Sequence, residues 1–210
     1  MKIIDFENWN RKEHFEFFSS LKSPYFGFTT KVDCTKAYDT AKKNGYSFFA
    51  YYLYKSMVAI NTVDALKLRI VDDQIALYEK VHIGSTIGRA DGTFGFSYFE
   101  FSDDFETFNE RLQEQVTTVQ NSKGLGIKNE VLPPNHIRHT TIPWHSFTSI
   151  LHPTDFDPKE CIPKLAFGKF SIRDGKKMMP VSIEAHHGLA DGIDLARYFE
   201  AFQEELDKTN

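Results

Sequence analysis

The sequence predicts a mixed α/β fold, a large sheet with helices packed against it, and three observations carry the prediction. Stretches of strict alternation, such as Val181-Ser182-Ile183-Glu184-Ala185-His186-His187, follow others whose apolar residues recur at helical spacing. No Pro/Gly/Ser-rich linker and no internal repeat divides the 210 residues, so one domain over 1–210 is expected. A hydrophobic fraction of 41% with 20 phenylalanines supplies a sizeable core for such layers.

The elements follow in order. A helix is expected over 9–21, with Arg11, Phe15 and Phe18 on one stripe, and then a strand over 26–32. Asp33 is placed to cap a second helix ending near Lys43. Ser47 starts a longer helix over 48–61, apolar nearly all round and therefore buried. Strands over 66–70 and 74–78 are joined by a turn at Val71-Asp72-Asp73, and a third covers 81–87. Phe94, Phe96, Tyr98, Phe99 and Phe101 make an aromatic strand. Asp103 opens an amphipathic helix with Phe105, Phe108, Leu112, Val116 and Val119 on its apolar stripe, and 123–135 is a long loop. Strands over 137–142, 146–151, 165–172 and 179–187 come next, with Asp174-Gly175-Lys176 as a hairpin turn. The last helix, over 192–206, carries Leu195, Tyr198, Phe199, Phe202 and Leu206 at helical spacing, and Asp191 is its cap.

Composition argues against several function classes. A net charge of −4 without a basic block argues against nucleic acid. Cys34 and Cys161 lie far apart, which suggests a reducing compartment rather than a disulfide scaffold. The N-terminal residues turn polar too early for a signal peptide, and no apolar run has membrane-spanning length, so a soluble cytoplasmic protein is expected. Gly124-Leu125-Gly126-Ile127-Lys128 lacks the Gly-Lys-Ser/Thr ending of a phosphate loop, and Gly88-Arg89-Ala90-Asp91-Gly92 reads as a turn. His136 and His139 have no further ligand at metal-site spacing, so no metal is expected. Neither cysteine has the context of a nucleophile.

The candidate chemistry lies at His187. Alternation puts it on the apolar row of Val181, Ile183 and Ala185, whereas His186 shares the other face with Ser182 and Glu184. A histidine held at a strand-to-helix corner beside Asp191 suits a general base, and it equally suits a structural imidazole followed by a turn and a cap. Arg11 either snorkels to water or, if buried, needs a carboxylate such as Asp191. Thr140 and Thr141 are ordinary strand residues unless a hydroxyl faces a cleft, where it could donate to an oxyanion. Trp144 is expected in the core or on a cleft wall.

These segments together resemble the chloramphenicol acetyltransferases. The family's His-His-x-x-x-Asp-Gly appears as His186–Gly192, its Trp-x-Arg-x-Glu-His-Phe as Trp9–Phe15, and its Pro-Trp motif as Pro143, Trp144, Phe147 and Ser149. The resemblance covers essentially the whole chain. It implies a coenzyme A-dependent acyltransferase fold and direct transfer of acetyl from acetyl-coenzyme A, a co-substrate, to an acceptor hydroxyl. No cofactor would be tightly bound.

In that scheme His187 is the general base, Thr140 stands where the family has an oxyanion-binding serine, and Asp191 pairs with Arg11. Trp144 and Phe170 would line the coenzyme channel. Phe18, Pro24, Phe26, Phe94, His152 and Ala166 would line the acceptor pocket, with His152 in place of a leucine, Ala166 of a threonine and Pro24 of a cysteine. The resemblance also implies a homotrimer with sites between subunits and chloramphenicol as the leading acceptor. Acetylation of another hydroxyl compound is the alternative, as is a catalytically silent relative that binds small ligands.

Overall fold

The computed structural model describes residues 1–126 and 132–209. Its elements in chain order are β1 (Lys2–Ile3), α1 (Lys12–Ser19), β2 (Tyr25–Asp33), α2 (Thr35–Lys43), α3 (Phe48–Asn61), α4 (Asp64–Lys67), β3 (Leu68–Val71), β4 (Gln74–Leu77), β5 (His82–Gly88) and β6 (Phe94–Phe99). Then come α5 (Phe105–Gln120), β7 (His136–Ile142), β8 (Lys164–Gly168), β9 (Ser171–Arg173), β10 (Lys176–His186) and α6 (Gly192–Asp207). Seven strands form one sheet in the order β2-β10-β8-β7-β5-β6, with β9 paired to β10, and β1, β4 and β3 form a small second sheet. The large sheet is mixed, because β7 runs parallel to β5 and β8 whereas β10 is antiparallel to β2 and β8.

Register decides which side chains share a face. Val181 and Ile183 of β10, Leu165 and Phe167 of β8, Ile137 of β7 and Ile83 of β5 enter a single core with Leu53 and Met57 of α3, Phe108 of α5 and Phe202 of α6. The alternate row runs Thr29–Ser182–Ala166–Thr140, with Gly27–Glu184–Lys164–Arg138 beside it. A side chain at each of these positions points away from the helices, because neighbours along a strand face opposite ways. A strap of chain over 143–163 covers part of that second face. It is tied down where Lys164 Nζ lies 3.3 Å from Glu160, Arg138 also pairs with Glu160, and the Tyr25 hydroxyl donates to the Ile162 carbonyl at 2.9 Å. Burial pushes the Glu160 carboxyl up, but Lys164 and then Arg138 outweigh it and hold the group below its ordinary range.

The mixed sheet with packed helices is as expected, and so is α3, whose cap Ser47 accepts from the Ala50 N–H. Other expectations need correction. The first helix starts at Lys12, so Arg11 precedes it. Asp33 sits one residue before the cap of α2, where its carboxylate accepts from the Thr35 N–H and hydroxyl. Residues 64–67 form a turn of helix before β3 begins. Asp104, not Asp103, caps α5, because its carboxylate is the one that accepts from the Thr107 N–H.

The segment 146–151 has strand-like composition but forms no strand, because it crosses the sheet as part of the strap rather than pairing within it. The expected strand over 165–172 is broken at Lys169 and Phe170, where Lys169 N–H donates to the His145 carbonyl instead of to a neighbouring strand. Strand β10 is buried on both faces, not one: Ser182 and His186 are as enclosed as Val181 and Ile183. Part of the loop expected over 123–135, and with it Ile127 and Lys128, lies outside the described residues. The turns at Asp72-Asp73 and Asp174-Gly175 have the positive φ angles that tight hairpins require.

Candidate active site

Strand β10 ends at His186, and the chain then turns through His187–Asp191 into α6. The two histidines at this corner are held in different ways. His186 Nδ1 accepts from the Gly188 N–H at 3.0 Å, which leaves Nε2 to carry the proton it donates to the Pro158 carbonyl, also at 3.0 Å. Its ring stacks on Phe15, and burial lowers its pKa. A Cβ on Gly188 would meet the His186 ring at 2.9 Å and the Phe15 backbone at 3.1 Å, so only glycine fits here.

His187 is partly exposed, and its ring lies between Phe18 and Phe26 with both centroid separations 3.9 Å. Its backbone N–H donates to the Pro24 carbonyl at 2.8 Å, and its Nδ1 lies 3.2 Å from the Ala190 carbonyl. A carbonyl only accepts, so Nδ1 is the protonated nitrogen and Nε2 presents its lone pair. That Nε2 has no hydrogen-bond partner among the described residues. With both ring faces covered, a reactant can approach the imidazole along its edge.

Arg11 fastens the turn. It donates to the His187 carbonyl at 2.8 Å and the Ala190 carbonyl at 3.1 Å, and its Nη1 lies 3.5 Å from Asp191 Oδ2. Asp191 accepts from Gly192 N–H at 2.6 Å and caps α6, while Asp194 accepts from the Asp191 N–H. The Gly192 N–H, and after it the Arg11 charge, hold the Asp191 carboxyl below its usual range. Asp191 makes no hydrogen bond to the His187 ring among the described residues; its partners are the Gly192 N–H and Arg11.

The other sequence candidates scatter. Phe18, Pro24 and Phe26 stand around His187, Pro24 through its carbonyl. Thr140 lies on the second face, in register with Ala166. Its neighbour Thr141 faces the helices, where it bonds the Tyr52 hydroxyl at 3.0 Å. Ala166 is fully buried, and His152 sits on the strap with Nδ1 2.9 Å from Glu184. Phe94 is half-exposed on β6, at the edge of the sheet opposite β2. Trp144 is 78% exposed, so it belongs to no core. Phe170 packs on Tyr38 and Phe48.

Thr140 and His187 of one chain cannot reach the same atom. Ser182, on the Thr140 row, precedes His187 by five residues, roughly 16 Å of strand, and two strand spacings add roughly 10 Å across the sheet.

Sequence reasoning missed Phe15, Gly188 and Pro158, which immobilise His186, and Glu184 and Glu160, which hold the strap. The glycine after the two histidines was the available signal for the first group; nothing in the local pattern marks the second. Cys34 and Cys161 are buried and free, with Cys34 pushed up to about 12 chiefly by burial, so neither supplies a thiolate. No group of three or more metal-binding side chains occurs among the described residues.

A family model described as chloramphenicol acetyltransferase matches residues 1–203. A chloramphenicol acetyltransferase of Bacillus pumilus is 28% identical over 200 residues, 95% of this chain and 90% of that one. Chloramphenicol acetyltransferase 3 of Escherichia coli is 26% identical over 206 residues, 96% of this chain and 94% of its own. A solved chloramphenicol acetyltransferase superposes with a TM-score of 0.89 at 31% identity, covering 98% of this chain and 99% of the other.

Proposed function

The chain belongs to the chloramphenicol acetyltransferase family, and on that premise we propose that it is an acetyl-coenzyme A-dependent O-acetyltransferase with chloramphenicol as its leading acceptor. One observation carries the chemistry: an imidazole clamped on both faces, with Nδ1 committed to a carbonyl and Nε2 left without a protein partner. Nε2 takes the proton of the acceptor hydroxyl while that oxygen attacks the thioester carbonyl. The negative charge of the tetrahedral intermediate falls on the former carbonyl oxygen, where a Thr140 hydroxyl donates a hydrogen bond. Collapse breaks the carbon–sulfur bond, and the departing thiolate recovers the proton from His187.

The separation of Thr140 from His187 supports a site built by two copies of the chain, and we assign the protein as a homotrimer with its sites between subunits. Each chain acts as one domain over residues 1–210. Trp144 and Phe170 flank the Lys169–His145 hydrogen bond at one end of the sheet, and we place the coenzyme there, held reversibly as a co-substrate. Phe94, on the edge opposite β2, then serves a site completed by a neighbour. We place the enzyme in the cytoplasm, a reading that the two free, buried cysteines support.

Release of free thiol from acetyl-coenzyme A in the presence of chloramphenicol tests the reading. Turnover is expected, with a raised KM, because His152 puts a polar ring where the resemblance implies an apolar wall. Transfer to another alcohol with none to saturating chloramphenicol would change the acceptor; no transfer to any alcohol would leave a ligand-binding relative.

A further inference from the structure

One imidazole on the second face has a nitrogen that the chain leaves unused. The His152 side chain is 9% exposed, and its Nδ1 lies 2.9 Å from Oε1 of Glu184, which is 15% exposed. A carboxylate accepts, so Nδ1 carries the proton, and in the neutral ring Nε2 presents a lone pair. That Nε2 is buried and has no hydrogen-bond partner among the described residues.

Both residues line a cleft of about 330 Å³ between the strap and the sheet, together with Tyr25, Phe26, Thr29 and Ser182. Gly27, opposite Glu184 in register, also lines it. A Cβ there would meet the Ile183 carbonyl oxygen at 2.0 Å, so the position stays glycine. Lys164, beside Glu184 in register, is committed to Glu160 and to the Pro153 carbonyl, which leaves His152 as the side-chain partner of Glu184 among the described residues.

Within the cleft, the Glu184 end stands apart from Thr140, the proposed oxyanion donor. Glu184 lies two strands across and two residues along from Thr140, roughly 12 Å. We infer that His152, oriented by Glu184, is a specificity-determining residue whose Nε2 accepts a hydrogen bond from a second hydroxyl at the far end of the acceptor. An acceptor with a second, well-separated hydroxyl is then favoured over its counterpart that lacks it, whereas chloramphenicol is accepted without help from this contact. Chloramphenicol, whose two hydroxyls sit close together on a three-carbon chain, does not supply the remote one. The inference rests on reading this cleft as part of the acceptor site.

A matched pair of probes tests it: 3-phenylpropan-1-ol and 3-[4-(hydroxymethyl)phenyl]propan-1-ol. Thiol release gives kcat/KM for each, and calorimetry gives Kd whether or not transfer occurs. The wild type is expected to favour the diol about tenfold in both measurements, the scale of one matched polar contact. H152L should bring the ratio near one, and E184Q should reduce it, because the ring loses its carboxylate. Diol binding without preference, no diol binding, or a ratio that H152L and E184Q leave unchanged each overturns the inference. If neither probe releases thiol but H152L abolishes a preference in Kd, transfer is refuted and the subsite stands. Thiol release with a ratio indifferent to both substitutions has the reverse meaning.

Discussion

At the end of β10, His187 sits between two phenylalanine rings, partly exposed and with Nε2 lacking a partner among the described residues, whereas along β7 the histidines are buried inside the fold. His136 is buried with Nδ1 against the Pro133 carbonyl, and His139 is buried with Nδ1 against the Gly84 carbonyl. Burial, ahead of every other cause, pulls each of them down to about 4. Thr140 follows His139 directly and lies on the second face of the sheet, the face that His136 shares. One region therefore leaves an imidazole edge open, and the other keeps its imidazoles buried and neutral. A histidine's availability is set by burial together with the partners its nitrogens find, more than by its neighbours in sequence: His186 has both nitrogens bonded, and His139 keeps Nε2 unpartnered but buried.

The largest expected effect breaks the corner itself. His187→Ala should lower acetyl transfer by about 10²–10⁴-fold, the range of general-base catalysis, with the fold intact by circular dichroism. His186→Ala should act mainly through stability, because both of its nitrogens serve the turn and the strap. Equal losses of kcat in two folded variants would erase the distinction between the neighbours.

Thr140→Ala probes the β7 side and should cost roughly 10–10³-fold in kcat. Its partner experiment uses the separation of the two regions. Coexpressed His187→Ala and Thr140→Ala chains should regain about a quarter of wild-type activity, since random assembly gives each site an intact histidine from one copy and an intact threonine from another with that frequency. Failure to complement, with mixed trimers shown by mass spectrometry, would place both groups in one chain's site and refute the two-copy reading.

The buried histidines of β7 predict acid sensitivity, and its sign follows from the shift. An unfolded histidine titrates near 6.5 and these two near 4, so between those values the unfolded chain binds more protons. Stability is complete above about pH 6.5 and falls as pH drops toward 4, by up to about 3 kcal/mol for each histidine. His139→Phe should lower Tm at every pH, because the Gly84 carbonyl loses its donor, yet shrink the difference in Tm between pH 7.5 and pH 5. An undiminished difference would show that His139 does not carry the acid response.

Much of this division was legible in the sequence. The apolar spacing of α3 and α6 marked their burial, and the corner motif marked His187 because an aspartate and two glycines follow it. The strap was illegible, since 146–151 has the composition of a strand and only the pairing of β7 with β8 excludes it from the sheet. The Phe18 and Phe26 clamp was half legible: Phe18 shares the Arg11 stripe, but its stacking on His187 depends on how α1 crosses the end of β2. Charge pairs that hold the strap, such as Lys164 with Glu160, depend on register between distant strands and leave no local periodicity.

The smallest effect concerns how the corner is fastened. Arg11 is mostly buried, but Asp191 is nearly half exposed, so water screens the pair and its coupling should be about 0.5–1 kcal/mol. Arg11 has a second task that Asp191 does not share: it donates to the carbonyls of His187 and Ala190, and the Ala190 carbonyl also receives His187 Nδ1. Arg11→Val should therefore cost more than Asp191→Asn, which loses the charge but retains an oxygen to cap Gly192 N–H. In a double-mutant cycle, the loss in the doubly substituted enzyme should fall short of the sum of the single losses by the coupling energy. The readout is kcat, with KM for acetyl-coenzyme A unchanged, because in the proposed arrangement the turn positions the imidazole and the coenzyme lies at the Trp144 and Phe170 end of the sheet. Strict additivity would mean that Arg11 works through the two carbonyls alone, and the ion pair would then be incidental to the geometry of His187.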